Sequence, residues 1–341
     1  MPRQAPSRSA AAWCGATIRS CSASAAWSVS CAMAIGCCSM SDSQPNDRQR
    51  LIGGLLGVVV GDAIGVPWEF QPANTAPRPT PAVGFQTFEQ PPGTWSDDGS
   101  LTLALLESLL EVGWDLDDQG RRFLAWFDDA QYTATGVCFD SGIATSAALN
   151  RIRARIPAAK AGSDGEHAQS NGGLMRILPV ALMGRGLSDA ELVARAEEGT
   201  RVTHAHPRVV VASAIYVLVA RALLRGDAPR PAIDWAVSTL GNLYANEPER
   251  RALIASCLVH KSGLGHAYVA DSLLSALTAL EQGRSFRDVV ELAISYGHDT
   301  DTTAAIAGGL AGIRYGAAAI PEQWMVAMRA APGWFIVDTL A

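Results

Sequence analysis

Two short runs crowd carboxylates and hydroxyls at the point where an apolar helix should begin. Ser96-Asp97-Asp98 leads into GSLTLALLESLLEVG, and Asp299-Thr300-Asp301-Thr302 leads into TAAIAGGLAGIRYG. Adjacent carboxylates on a helix do not face one another, so each reaches toward a different ligand. Carboxylates with hydroxyls form an all-oxygen donor set, which suits hard cations such as Mg²⁺, Mn²⁺ or Ca²⁺. The Cys and His spacings of a zinc site are absent. Either run alone reads as ordinary helix capping. Together they read as a shared metal site. Carboxylates gathered without cations would repel one another and resist ionisation, and a divalent metal would relieve that cost.

Two further stretches carry groups able to do chemistry. In SNGGLMRILPVAL (Ser170–Leu182), Gly172-Gly173 precedes a helix expected over 173–184. Backbone N–H groups there are open to an anion, and Ser170 and Asn171 add side-chain donors. The same glycines also suit a plain helix start. In GDAIGVPWEF, Asp62 is expected to be structural, and Glu69, after a Pro-Trp turn, is expected to face a cleft.

These groups need helices to position them, and helix signals dominate from Leu51 onward. Helices are expected near 51–67, 96–113, 117–130, 140–155, 173–184, 188–199, 207–225, 230–244, 248–259, 266–282, 286–296, 301–315 and 321–330. Ala82–Phe88 is the best candidate strand, in a long proline-rich loop over 72–92. Many helices joined by short turns imply one all-α globule.

The chain has 341 residues, 48% hydrophobic, with a net charge of −6. That charge gives no general reason to expect nucleic acid as a ligand. No run of about 20 uncharged apolar residues marks a membrane span. Five of seven cysteines lie before residue 40 (Cys14, Cys21, Cys31, Cys37 and Cys38), leaving only Cys138 and Cys257 in the body. That body reads as a reduced, cytoplasmic protein, expected to be monomeric. Residues 1–45 read as a disordered or over-extended start, with Met40 as the true initiator, or as an export signal. The folded domain is expected over 46–341.

In their order, GDAIGVPWEF, TWSDDGSLTLAL, SNGGLMRILPVAL, THAHP, GHDTDTTAAIAGGLAGIRYG and IPEQW resemble the ADP-ribosylglycohydrolase family, from about Leu51 to Trp324. The resemblance implies a multi-helix orthogonal bundle holding two divalent cations, Mg²⁺ or Mn²⁺. It implies Ser96, Asp97, Asp98, Asp299, Asp301 and Thr302 as metal ligands, with Asp97, Asp98, Glu69 and Asp301 as catalytic groups. It places Glu69, Ser170, Asn171, Gly172, Gly173, Leu174 and His298 at the substrate. His204 and His206 of THAHP stand either near the site or as packing residues.

The implied reaction is hydrolysis of the N- or O-glycosidic bond joining ADP-ribose to an acceptor. The acceptor would be a protein side chain such as arginine, or a small-molecule conjugate. The alternative is a non-catalytic ADP-ribose-binding protein on the same fold. The chain departs from the family at Ser96, where threonine is common, and at Gly99, where a hydroxyl residue is common and glycine is expected to loosen the surroundings. It departs again at His298, where glycine is frequent and an imidazole would narrow the cleft. DTDTT also matches an Asp-x-Asp-x-Thr phosphatase nucleophile motif, but too little chain follows it for that doubly wound domain.

Overall fold

The computed structural model describes residues 44–75, 79–80 and 82–329. Apart from residues 44 and 45, the expected N-terminal extension with its five cysteines lies outside the described residues. Among the described residues, thirteen α-helices follow in chain order. They are α1 (Asp47–Gly65), α2 (Asp97–Glu111), α3 (Leu116–Asp129), α4 (Ile143–Arg153), α5 (Leu178–Met183), α6 (Asp189–Arg201) and α7 (Pro207–Leu224). Then come α8 (Pro229–Leu243), α9 (Pro248–Cys257), α10 (Val269–Gln282), α11 (Phe286–Ser295), α12 (Thr300–Tyr315) and α13 (Glu322–Ala327).

Local chemistry sets many of the boundaries. The side chains of Asn46, Asp115, Ser188 and Ser285 each accept a backbone N–H of the first turn of α1, α3, α6 and α11. Ser188 and Glu191 complete a reciprocal capping box. Two expectations fail. Residues 82–88 form no strand; Phe85 and Glu89 take left-handed backbone angles, so the chain turns. The helix expected at 173 starts instead at Leu178, after a single 3₁₀ turn over Asn171–Gly173.

Helix α7 is buried nearly all round and forms the centre of the core. Helix α1 with its following turn, and α7, are each long and apolar enough to span a membrane. Buried residues make up 89% and 83% of an 18-residue window in each, as in core helices.

The contact that positions the site is between α1 and α12. Gly53, Gly57, Gly61 and Gly65 recur every four residues along one face of α1. A Cβ on Gly53 would lie 2.3 Å from Gly312 O, on Gly57 2.1 Å from Gly308 O, and on Gly61 2.2 Å from Ala304 O. On Gly65 it would lie 2.4 Å from Asp301 Cα. The helices therefore touch backbone to backbone, antiparallel, which only glycine permits at these positions. The C-terminal end of α1, with Asp62, thus meets the N-terminal end of α12, with Asp301. Thr300 Oγ1 donates to Gly65 O at 2.8 Å and pins the junction.

Candidate functional site

Asp62 joins a third helix to this junction. Its carboxylate accepts Ser96 N at 2.9 Å, Ser96 Oγ at 2.9 Å and Gly99 N at 2.7 Å. The start of α2 is thereby tied to the end of α1. Gly99 is not slack, because a Cβ there would come within 2.8 Å of Trp95 Cδ1.

Neither acidic run behaves as a cap. Ser96 and Asp299 occupy the N-cap positions of α2 and α12, yet neither side chain makes a capping hydrogen bond. Ser96 Oγ turns instead to Asp62 and lies 3.2 Å from Asp98 Oδ2. Thr302 Oγ1 lies 3.4 Å from Asp98 Oδ2, bridging α12 to α2. Asp299 Oδ2 accepts Asn171 Nδ2 at 2.7 Å.

The structure therefore gathers Ser96, Asp98, Asp299, Asp301, Thr302 and Glu69, from segments about 200 residues apart. Oxygens of Asp62, Asp98 and Asp301 lie within 4.8 Å of one another, as do those of Glu69, Asp299 and Asp301. Asp301 belongs to both trios. Asp97 joins the cluster through its charge interactions with Asp62, Asp140 and Asp299.

Burial and mutual repulsion strain these groups electrostatically. Glu69 is pushed up to about 10, chiefly by burial and then by Asp140, Asp299 and Asp97. Asp62 is pushed up to about 7 by burial, against the bonds from Ser96 and Gly99. Asp97, Asp98 and Asp301 are driven well above the usual carboxylate range, first by burial and then by their acidic neighbours. Among the described residues, none of Asp62, Glu69, Asp97, Asp98, Asp140, Asp299 and Asp301 forms an ion pair with Arg, Lys or His. Glu69 Oε2, Asp98 Oδ1 and Asp301 Oδ2 are buried with no hydrogen-bond partner. Orphaned, converging carboxylate oxygens are what divalent cations require, so these residues fit the expected metals.

Asp140 was missed in the sequence. It lies half-buried at the cluster, pushed up to about 7 by burial and then by Asp299 and Asp62. Its signal was present: Asp140-Ser141-Gly142 precedes α4, repeating the pattern of acid and hydroxyl before a helix. Asp62, expected to be structural, is that and also part of an oxygen trio.

Beside the acids, Ser170 and Asn171 stand on a chain of side-chain bonds. Arg176, fully buried, donates to Thr203 Oγ1 at 2.6 Å. Thr203 Oγ1 lies 2.9 Å from His204 Nδ1, and His204 Nε2 lies 3.0 Å from Ser170 Oγ. Burial and Arg176 push His204 down to about 3, so it is neutral. Thr203, accepting from Arg176, gives its own hydrogen to Nδ1, and Nε2–H then donates to Ser170. The Ser170 hydroxyl is left to donate outward.

Gly172 and Gly173 pack under this loop; a Cβ on either would come within 3.0 Å of His204 atoms. Leu174 points into the core, so only its backbone is available to a ligand. His206 caps α7 by accepting Arg208 N. His298 has left-handed backbone angles (φ 61°), and its ring stacks on that of His266 with centroids 4.0 Å apart. Its backbone is clasped by Phe70 N and Gln71 O at the edge of the cluster.

Residues 43–340 match the family model for ADP-ribosylglycohydrolase. This chain belongs to the ADP-ribosylglycohydrolase family. It is 28% identical over 295 residues to the ADP-ribosylarginine hydrolase Tri1 of Serratia proteamaculans (strain 568), covering 84% of this chain and 77% of that one. It is 26% identical over 300 residues to the ADP-ribosyl-[dinitrogen reductase] glycohydrolase of Rhodospirillum rubrum, covering 82% and 90%. A solved structure, an ADP-ribosylglycohydrolase-related protein complex, superposes with a TM-score of 0.71 at 32% identity, over 86% of this chain and 96% of that one. The all-α architecture expected from the sequence is that of the family.

Proposed function

We propose that this member of the family hydrolyses the bond between ADP-ribose and an acceptor side chain, in a reaction that depends on divalent metal. The observation that carries the proposal is the cluster of buried carboxylates without a cationic partner. Such a set is unstable alone and complete with cations.

Asp98, Asp301, Asp299 and Asp97, with the Ser96 and Thr302 hydroxyls and with Asp62 and Glu69 beside them, would hold two divalent cations. When bound, these supply Lewis acidity for the ribose hydroxyls and lower the pKa of a water. The chain's own groups do the rest. The Ser170 hydroxyl, aimed by His204, and the Asn171 turn orient the diphosphate of the bound ADP-ribose, whose anomeric carbon is attacked while the acceptor leaves. Asn171 also fixes the Asp299 carboxylate, so substrate seating and the acidic cluster share one side chain. Bond cleavage passes through an oxocarbenium-like state with positive charge at the anomeric carbon. Surrounding carboxylates stabilise that charge, and one of them takes the proton of the attacking water and passes it on, so that the acceptor departs protonated and the hydroxyl stays on the anomeric carbon.

The relatives that act on ADP-ribosylarginine and on a modified dinitrogen reductase support a protein side chain as acceptor. The test is release of ADP-ribose from defined conjugates, with Mg²⁺, Mn²⁺ or chelator, by the wild type and by Asp97→Asn and Asp301→Asn. Chelator and either substitution should lower release at least about 100-fold. Undiminished turnover in chelator or in both variants would overturn the mechanism. Tight ADP-ribose binding without release from any conjugate would leave a binding module instead.

A further inference from the structure

Three consecutive residues lead from the acids to a second cavity. Asn171 donates to Asp299 at 2.7 Å, Ser170 Oγ meets His204 at 3.0 Å, and Gln169 Oε1 accepts Arg208 Nε at 2.9 Å. Arg208 lines a cavity of about 500 Å³ together with Ser256, His260, Lys261 and Tyr268. A smaller hollow of about 350 Å³ connects that cavity to the loop: Lys261 and Tyr268 line both, and Gln169 and Ser170 line the smaller one. None of the clustered acids lines either space.

The path is pinned by backbone. Ser170 and Tyr268 pair as an antiparallel bridge, with Asn171 N donating to Ala267 O at 3.1 Å and Val269 N to Gln169 O at 3.0 Å. Arg208 is held through two of its nitrogens: Nη1 donates to Ser256 Oγ at 2.6 Å and Nε to Gln169. Its Nη2 has no hydrogen-bond partner among the described residues, and neither has Lys261 Nζ. Arg208 Cζ and Lys261 Nζ stand 5.9 Å and 5.1 Å from the centroid of the Tyr268 ring. Neither cation forms an ion pair among the described residues. Asp271 is fully buried, accepts the backbone N–H groups of Lys261 and Ser262, and lies 3.6 Å from His260 Nδ1. Glu166 lines the smaller hollow and not the cavity.

Two permanent cations beside one ring repel each other, and an anion in the cavity relieves that repulsion. A guanidinium edge and an ammonium head are donors suited to phosphate. With its reacting ribose at the acids and its diphosphate at Ser170, ADP-ribose sends its adenosine into the smaller hollow. A group attached to the adenosine ribose then reaches the cavity. We propose that the cavity is a second phosphate site, which takes a phosphate carried on the adenosine ribose of ADP-ribose. Such a monoester carries close to two negative charges at pH 7, matching Arg208 and Lys261. Unsubstituted ADP-ribose has no group to offer there. The inference rests on the seat for the diphosphate given above and extends it to a further class of ligand.

Titration calorimetry of the Mg²⁺-loaded protein compares ADP-ribose with its 2′-phosphorylated and 3′-phosphorylated forms. None of the three carries an acceptor, so no turnover intrudes. At least one phosphorylated form should bind the wild type about tenfold more tightly than ADP-ribose, and added salt should shrink the difference. Lys261 is exposed, so Lys261→Ala leaves folding intact. It should erase most of the preference, and Lys261→Arg should retain it. Lys160→Ala removes the same charge from another exposed position and should leave the preference unchanged.

Equal or weaker binding of both phosphorylated forms overturns the second site. So does a preference that survives Lys261→Ala, or one that Lys160→Ala lowers as much. If conjugates still release ADP-ribose in that event, the glycohydrolase reading stands without it. A phosphate preference kept by a protein that releases ADP-ribose from no conjugate sinks that reading and sustains this one. A protein that binds none of the three ligands overturns the seat at Ser170 and the cavity together.

Discussion

Placing a methyl group on Gly61 tests whether backbone contact between α1 and α12 builds the site. A Cβ there would sit 2.2 Å from Ala304 O, where about 3.3 Å is the closest comfortable approach. The obstructing atom is backbone, so no side chain can swing aside. The helices must separate locally by about 1 Å. Overpacking of this kind costs about 1–3 kcal/mol, partly offset by about 1 kcal/mol from alanine's better helix propensity. Gly61→Ala should therefore destabilise by about 0–2 kcal/mol.

The functional effect should be larger than the stability effect. Asp62 is the next residue, and its trio with Asp98 and Asp301 spans the two helices within 4.8 Å. Metal sites tolerate errors of about 0.2 Å, so a 1 Å separation should weaken Mn²⁺ binding by about 10–100-fold. Gly241→Ala is the control. Gly241 lies inside α8, and a Cβ there meets nothing within 4 Å, so alanine should stabilise by about 0.5–1 kcal/mol. Thermal unfolding and Mn²⁺ titration of both variants give the answer. A Gly61→Ala protein as stable as the wild type, with unchanged Mn²⁺ affinity, would refute the claim that this contact sets the metal geometry.

Two other outcomes follow from the same site. In metal-free protein, Asp62 and Asp140 titrate near 7 when folded and near 4 when unfolded. Between these values the unfolded chain binds fewer protons than the native one, so stability falls as pH rises from about 4 to 7, by up to about 1.4 kcal/mol per pH unit for each group. The metal-free melting temperature should drop over that range. Mg²⁺ or Mn²⁺ should restore it more at pH 7 than at pH 5, with protons released on binding at the lower pH; a flat metal-free profile would contradict the clustering of these acids. His204→Ala removes the donor that aims Ser170, and should raise KM about tenfold with a smaller change in kcat. Steady-state kinetics check this, and an unchanged KM would leave His204 a packing residue.

Much of the helical order was legible along the chain. The period of the apolar residues and the caps at Asn46, Asp115, Ser188 and Ser285 are local features, encoded within a few residues of each boundary. The acidic runs at Ser96–Asp98 and Asp299–Thr302 were visible for the same reason, and two such runs before apolar helices already argued against simple capping. The failures were also local in appearance and non-local in cause. Residues 82–88 alternate like a strand, but no partner edge exists among the described residues, and the segment turns to bring Phe88 to Phe70 and Phe139. Gly172-Gly173 resembles a helix start, but the glycines are there because His204 packs against them.

Tertiary structure decided the rest, because convergence depends on what lies opposite each residue. The stripe of glycines on α1 could be counted in the sequence, but Gly308, Gly312 and Ala304 as its counterpart, some 240 residues away, could not. That antiparallel contact puts Asp62 and Asp301 at the same end of the α1–α12 pair. It makes Asp62 both the clamp on α2 and a member of an oxygen trio, and it gives Asp140 neighbours that raise its pKa. The residue types and their local geometry were written in the chain; which carboxylates share a cation was settled only by the backbone contact between two helices.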